Sequence, residues 1–129
     1  MNWRGRLAFL LVLLSVFAVG PAAVLAQTPL SGQYECQGAN PDGSGQYAGQ
    51  VTVESDKGGA YKFKWKLGGQ SYSGIGILNG NTVSVAYSGG GKDFGIVVYS
   101  IQDGGNTLSG NWIFYPGGTE LGKETLTRK

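Results

Sequence analysis

The sequence predicts an all-β domain, a single antiparallel up-and-down β-barrel of about eight strands, with a two-sheet β-sandwich as the alternative. Three observations carry this. Apolar and polar residues alternate with a period of two, clearest in "AYKFKWKLGG", where Tyr61, Phe63, Trp65 and Leu67 interleave with Lys62, Lys64 and Lys66. Clusters of Gly, Asn and Asp interrupt the chain at short intervals, and no segment after residue 26 shows a helical period. Successive strand side chains point to opposite faces, so such alternation places one set inward and the other in water.

The elements follow in order. The turn signals are "NPDGSG", "SDKGG", "LGGQ", "LNGN", "SGGGKD", "QDGGN" and "YPGGTE". Each supplies residues that tolerate positive φ or bond locally to the backbone. They bound strands expected at about 32–38, 47–55, 60–67, 70–78, 81–88, 92–102, 107–115 and 119–127. In the second, Val51 and Val53 oppose Thr52 and Glu54; in the fifth, Val83, Val85 and Tyr87 oppose Thr82, Ser84 and Ala86. Connections this short favour pairing between sequence neighbours, and closing such a meander removes exposed strand edges. A sandwich usually needs longer crossovers. Glycines within strands, at Gly74, Gly76, Gly95 and Gly110, fit bends, bulges or a close approach by a ligand or another backbone.

Residues 1–26 have a different character. Arg4 and Arg6 precede an apolar run over residues 7–19, then Gly20-Pro21 and the small-residue site Val24-Leu25-Ala26. This is the layout of a secretory signal peptide cleaved after Ala26. The run is shorter than the ~20 residues of a spanning helix, so no membrane span is expected after cleavage. Nor does the segment ahead of Cys36 resemble a lipidation site. The domain is then residues 27–129, which is 129 − 26 = 103 residues, and it is expected to be periplasmic or secreted. Two of the ten basic residues leave with the signal, so the remainder has eight bases and eight acids. A neutral domain lacks the electrostatic footprint of a nucleic-acid binder.

Little in the residues points to catalysis. The chain has no His and one Cys, so no internal disulfide is possible and the Ser-His-Asp, Cys-His and His-ligated zinc arrangements are excluded. Cys36 reads as a buried, inert thiol. Asn40, Asp42 and Ser44 have a superficial calcium-loop spacing, but Gly45, Gln46 and a strand follow where more oxygen ligands are needed. Pro41 and Asp42-Gly43 read as a chain reversal. Glu120 and Glu124 are expected to share a solvated outer face of the last strand, and Lys62, Lys64 and Lys66 another. No cofactor and no metal site are expected, and the domain is read as non-enzymatic.

The segments "GQYECQGANPDGSGQYAGQVTVE", "YKFKWKLGGQSYSGIGIL" and "LSGNWIFYPGGTELGKETLTR" resemble a group of small exported bacterial proteins labelled fibronectin-binding. That resemblance implies adhesion to an extracellular or envelope protein such as fibronectin. A fainter likeness, in "GQY", "KFKWK" and "LSGNW", is to the avidin and lipocalin barrels, the calycin-like proteins that hold small molecules inside. The leading expectation is therefore an exported interaction module with a packed core. The alternative is a carrier of a small apolar ligand in a barrel cavity lined by Trp65, Tyr72 and Trp112, with Tyr72, Tyr87 or Tyr99 supplying polar tips. Interior volume separates the two.

Overall fold

Period-two alternation runs through most strands of the computed structural model, which describes residues 29–129. The strands are β1 (Gly32–Ala39), β2 (Gln46–Ser55), β3 (Ala60–Leu67), β4 (Gln70–Asn79), β5 (Thr82–Ser88), β6 (Phe94–Gln102), β7 (Thr107–Tyr115) and β8 (Gly122–Arg128). Each pairs antiparallel with its sequence neighbour, and β8 returns to β1, through Gly38↔Glu124 and Tyr34↔Arg128, to close the barrel. The signal-peptide reading lies outside the described residues. No helix among the described residues is long and apolar enough to cross a membrane.

Two strands begin later than the turn signals imply. The Ser88 hydroxyl donates to Asp93 O at 2.7 Å and accepts from Gly90 N at 3.1 Å, which ties Lys92 and Asp93 into the connection. Residues 119–121 have no strand beside them, because the β7–β8 ladder starts at Trp112↔Gly122 while the end of β7 pairs only with β6. Glu120 therefore lies in an exposed loop and shares no strand face with Glu124.

The inward set contains Tyr34 and Cys36 on β1, Val51 and Val53 on β2, Phe63 and Trp65 on β3, and Val83 and Val85 on β5, all buried. Val97 and Tyr99 on β6, Leu108 on β7 and Leu126 on β8 complete it. The three lysines of β3 point to solvent, as alternation requires. Lys62 pairs with Asp56 at 3.5 Å, an exposed contact of little energetic weight.

One end of the barrel is shut. Leu30 enters it fully buried. The Tyr34 hydroxyl donates to Leu30 O at 2.7 Å and accepts from Arg128 Nη2 at 2.9 Å. Arg128 also donates to Ser31 O at 2.7 Å and Pro29 O at 2.8 Å. Gly105 O lies 3.1 Å from the Tyr34 hydroxyl, presented by a tight turn in which Gly104 and Gly105 take φ of 61° and 94°, values that favour residues without a Cβ.

Candidate functional site

The opposite end, carrying the connections 40–45, 68–69, 89–93 and 116–121, leads into a cavity of about 290 Å³. Its wall draws on seven of the eight strands: Tyr47, Trp65, Leu67, Tyr72, Tyr87, Val97, Trp112, Phe114 and Glu124, with Asn40 and Gln70 at the rim. The three residues singled out from sequence, Trp65, Tyr72 and Trp112, all lie on this wall. Tyr87 joins them, whereas Tyr99 is fully buried and absent from the lining. Trp65 is 3% exposed and Trp112 half-buried.

The interior is hollow here because its aromatic rings lie along the wall. Tyr47 stands opposite Gly38, Tyr87 opposite Gly95 and Trp112 opposite Gly122. A Cβ added at any of these glycines would collide with the facing ring. Each ring therefore covers the bare backbone of the next strand instead of projecting into the centre, the aromatic–glycine pairing that curved sheets use. Further down, Phe63 faces Gly74 and Tyr99 faces Gly110, but valines and leucines fill the space between. The expectation of a uniformly packed core thus holds for the closed half and fails for the open half.

Glu124 is the feature that sequence reading misplaced. It points inward and is 5% exposed, not on a solvated outer face. Tyr47 donates to its Oε1 at 2.9 Å, Trp65 Nε1 donates to Oε2 at 3.2 Å, and the Tyr99 hydroxyl donates to Oε2 as well. These donors come from β2, β3 and β6. Its parity was legible in "GKETLTR", since Glu124 shares a face with Leu126, the one large apolar residue of that strand. Trp112 Nε1 is buried with no acceptor in hydrogen-bonding geometry.

Burial governs the protonation of the surrounding groups. It raises the phenols of Tyr47, Tyr87 and Tyr99, and the Glu124 charge adds to each rise. Burial also lifts the Cys36 thiol, again with help from Glu124, so this buried cysteine stays protonated and weakly reactive. Asp42 goes the other way. Hydrogen bonds from Ser44, including Ser44 N to Oδ1 at 2.8 Å, hold its carboxyl below the usual range. With Asn40 N bonded to Gly45 O at 3.0 Å, the segment is a chain reversal. Among the described residues no cluster of three His, Cys, Asp or Glu side chains could hold a metal.

The phenols make stability fall at high pH. Tyr34, raised by burial against the opposing Arg128 charge, and Tyr99 both keep their protons above 10, the ordinary value. Below pH 10 folded and unfolded chains both hold these protons, and stability does not respond to pH through them. Above it the unfolded chain releases protons that the folded chain retains, so stability is expected to drop by about 1.4 kcal/mol per pH unit for each such phenol. Tyrosinate absorbance from these residues should appear only with loss of the near-ultraviolet circular dichroism. Their titration in a still-folded barrel would contradict this.

No family model matches the chain, and no curated protein matches it. The resemblance to fibronectin-binding proteins therefore has no support beyond the segments that carry it. Solved structures do match. A redesigned β-barrel superposes with a TM-score of 0.63 at 15% identity, covering 78% of this chain and 91% of that one. A second redesigned β-barrel, bound to DFHBI, gives a TM-score of 0.61 at 15% identity over 77% and 98% of the two chains. Fatty-acid-binding protein 1 of Echinococcus granulosus reaches 0.48 at 7% identity over 76% and 96%, too distant to carry an argument. At such identities the first two likenesses are ones of fold: a closed, eight-stranded, up-and-down antiparallel barrel.

Proposed function

We propose that this protein is an exported, non-enzymatic carrier that holds a small, mainly apolar ligand inside its barrel, acting in the periplasm or outside the cell. The observation that carries the reading is the aromatic-walled cavity of about 290 Å³, open at one end and shut at the other. Its volume falls just below the ~300–1,000 Å³ typical of small-molecule sites, which points to a compact ligand. That a redesigned barrel of the same fold binds DFHBI supports the reading by analogy of architecture alone.

The test is a titration of the purified protein with small aromatic dyes, DFHBI included, read through tryptophan fluorescence. Trp65 and Trp112 both border the cavity, so saturable one-to-one binding should change their emission. Val97 borders it too, and Val97→Phe should fill the space and abolish binding while the circular dichroism stays that of a folded barrel. Unchanged dye binding by a folded Val97→Phe variant would place the dye elsewhere.

An interaction module for an extracellular or envelope protein is the second reading, favoured by one observation. The outer face of β4 to β7 exposes Ile75, Ile77, Phe94, Ile96 and Val98, and the register aligns Ile75, Ala86, Ile96 and Ile113 across four strands. Contiguous exposed apolar surface often marks a contact site. Fibronectin binding that is lost in Ile75→Lys/Ile96→Lys, with dye binding intact, would support it.

A further inference from the structure

We propose that the cavity takes a small organic cation, an amine or quaternary ammonium group on a compact apolar body, with the charge directed at Glu124. This rests on the carrier reading and narrows it.

The charges around the cavity all have one sign. Glu124 lines it, and no Lys or Arg does among the described residues. A shallower groove of about 600 Å³ at the mouth, between residues 40–45 and 116–121, adds Asp42 and Glu120 and again no base. An anionic ligand entering here meets like charge in a low-dielectric setting, where repulsion is strong. Fatty-acid-like carboxylates are therefore disfavoured.

Glu124 itself is under-compensated. Its partners are two phenols, an indole and the Cys36 thiol, all neutral donors. The Lys62–Asp56 pair is the one salt bridge among the described residues, and it lies on the outside. A buried carboxylate is costly without an opposite charge or full hydrogen bonding. Oε2 takes two donors and Oε1 takes one, and the Cys36 thiol also reaches the carboxylate, so what Glu124 lacks is an opposite charge, which a nearby ammonium would supply.

The walls supply the other half of cation recognition. Trp65 and Tyr87 stand with centroids 5.7 Å apart and planes at 53°, and Tyr72 meets Tyr87 edge-on at 6.1 Å. Tyr47 and Trp112 form another tilted pair, with centroids 6.2 Å apart and planes at 65°. Rings set at steep angles around one space present several faces to a single guest. Aromatic faces attract ammonium groups, most strongly where water is displaced.

The experiment compares three probes on the purified protein by tryptophan fluorescence and calorimetry: phenyltrimethylammonium, its neutral isostere tert-butylbenzene, and benzoate. The cation should bind at least about ten-fold more tightly than the isostere, and benzoate should not bind. In Glu124→Gln the cation should lose about ten-fold while tert-butylbenzene is unchanged. Should that variant not fold, the cation-to-isostere ratio in the unmodified protein decides alone. Equal affinities, preference for benzoate, or binding of the dyes but of none of these probes would overturn the cation assignment and leave the carrier reading standing. Absence of binding by probes and dyes together would overturn both.

Discussion

Replacing Phe63 with alanine is expected to lower the free energy of unfolding by about 3–5 kcal/mol, a large share of the ~5–15 kcal/mol of an ordinary domain. Phe63 is fully buried at the middle of β3, below the cavity. It stacks on Trp65 at 5.5 Å and on Tyr99 at 6.1 Å, so its loss frees two other rings. Across the strand pair it faces Gly74, and its edge would lie 3.1 Å from a Cβ at Gly76. Neither glycine has a side chain that could swing into the hole. A wall that cannot collapse puts the cost toward the upper part of the range. Urea denaturation of the two proteins measures it. Phe63→Leu, which keeps more of the volume, should cost clearly less, and a Phe63→Ala cost below about 1 kcal/mol would mean that the ring is not the core residue its burial implies.

Phe63 was also the easiest residue to place from sequence. Alternating Lys and aromatic residues in β3 leave one amphipathic solution, and the short turns leave few topologies, so fold class and the closed-barrel option were both legible. The cavity was not. Whether Tyr47, Tyr87 and Trp112 fill the barrel or line it depends on the glycines opposite them, and those partners are fixed by register between strands. Tyr87–Gly95 and Trp112–Gly122 each cross a loop whose length decides the pairing, and the expected starts of β6 and β8 fell too early for either pair to be read. Gly95 reads from sequence as a strand glycine, but nothing local names Tyr87 as the ring that covers it, and at Gly110 the close approach is by the backbone of Val98 and Tyr99 instead of a ring.

The polar interior was obscured differently. β8 has one large apolar residue, Leu126, to set its parity, and a Glu beside Lys123 looks like ordinary solvated charge. Glu and Arg are rarely buried without partners, and the partners of Glu124 lie on β2, β3 and β6, remote in sequence. Arg128 has the same parity, and its role in closing the far end depends on carbonyls of Pro29, Ser31 and Gly105 that no local pattern connects to it. On the outside, the alignment of Ile75 with Ile96 likewise emerges only when β4 to β7 stand side by side.

Glu124→Leu is the other substitution with a large expected effect, about 2–5 kcal/mol of lost stability. Leucine approximates the volume but accepts no hydrogen bond, which strands the Tyr99 hydroxyl, Trp65 Nε1 and the Tyr47 hydroxyl at once. A buried donor left without an acceptor costs about 1–3 kcal/mol. Tyr99 and Trp65, at 0% and 3% exposure, bear most of this, while half-buried Tyr47 can turn toward the cavity mouth. Relief from holding a carboxylate out of water offsets part of the loss, which keeps the total below the sum of three stranded donors. The cause is identified by a second substitution. Tyr99→Phe alone should destabilise, since it removes a donor from Glu124, yet in the Glu124→Leu background it deletes a stranded hydroxyl and should be neutral or restore stability. The two changes should therefore couple by more than about 1 kcal/mol in a double-mutant cycle. Additivity within about 0.5 kcal/mol would show that the cost of Glu124→Leu arises from packing, with the carboxylate free to serve whatever enters the barrel.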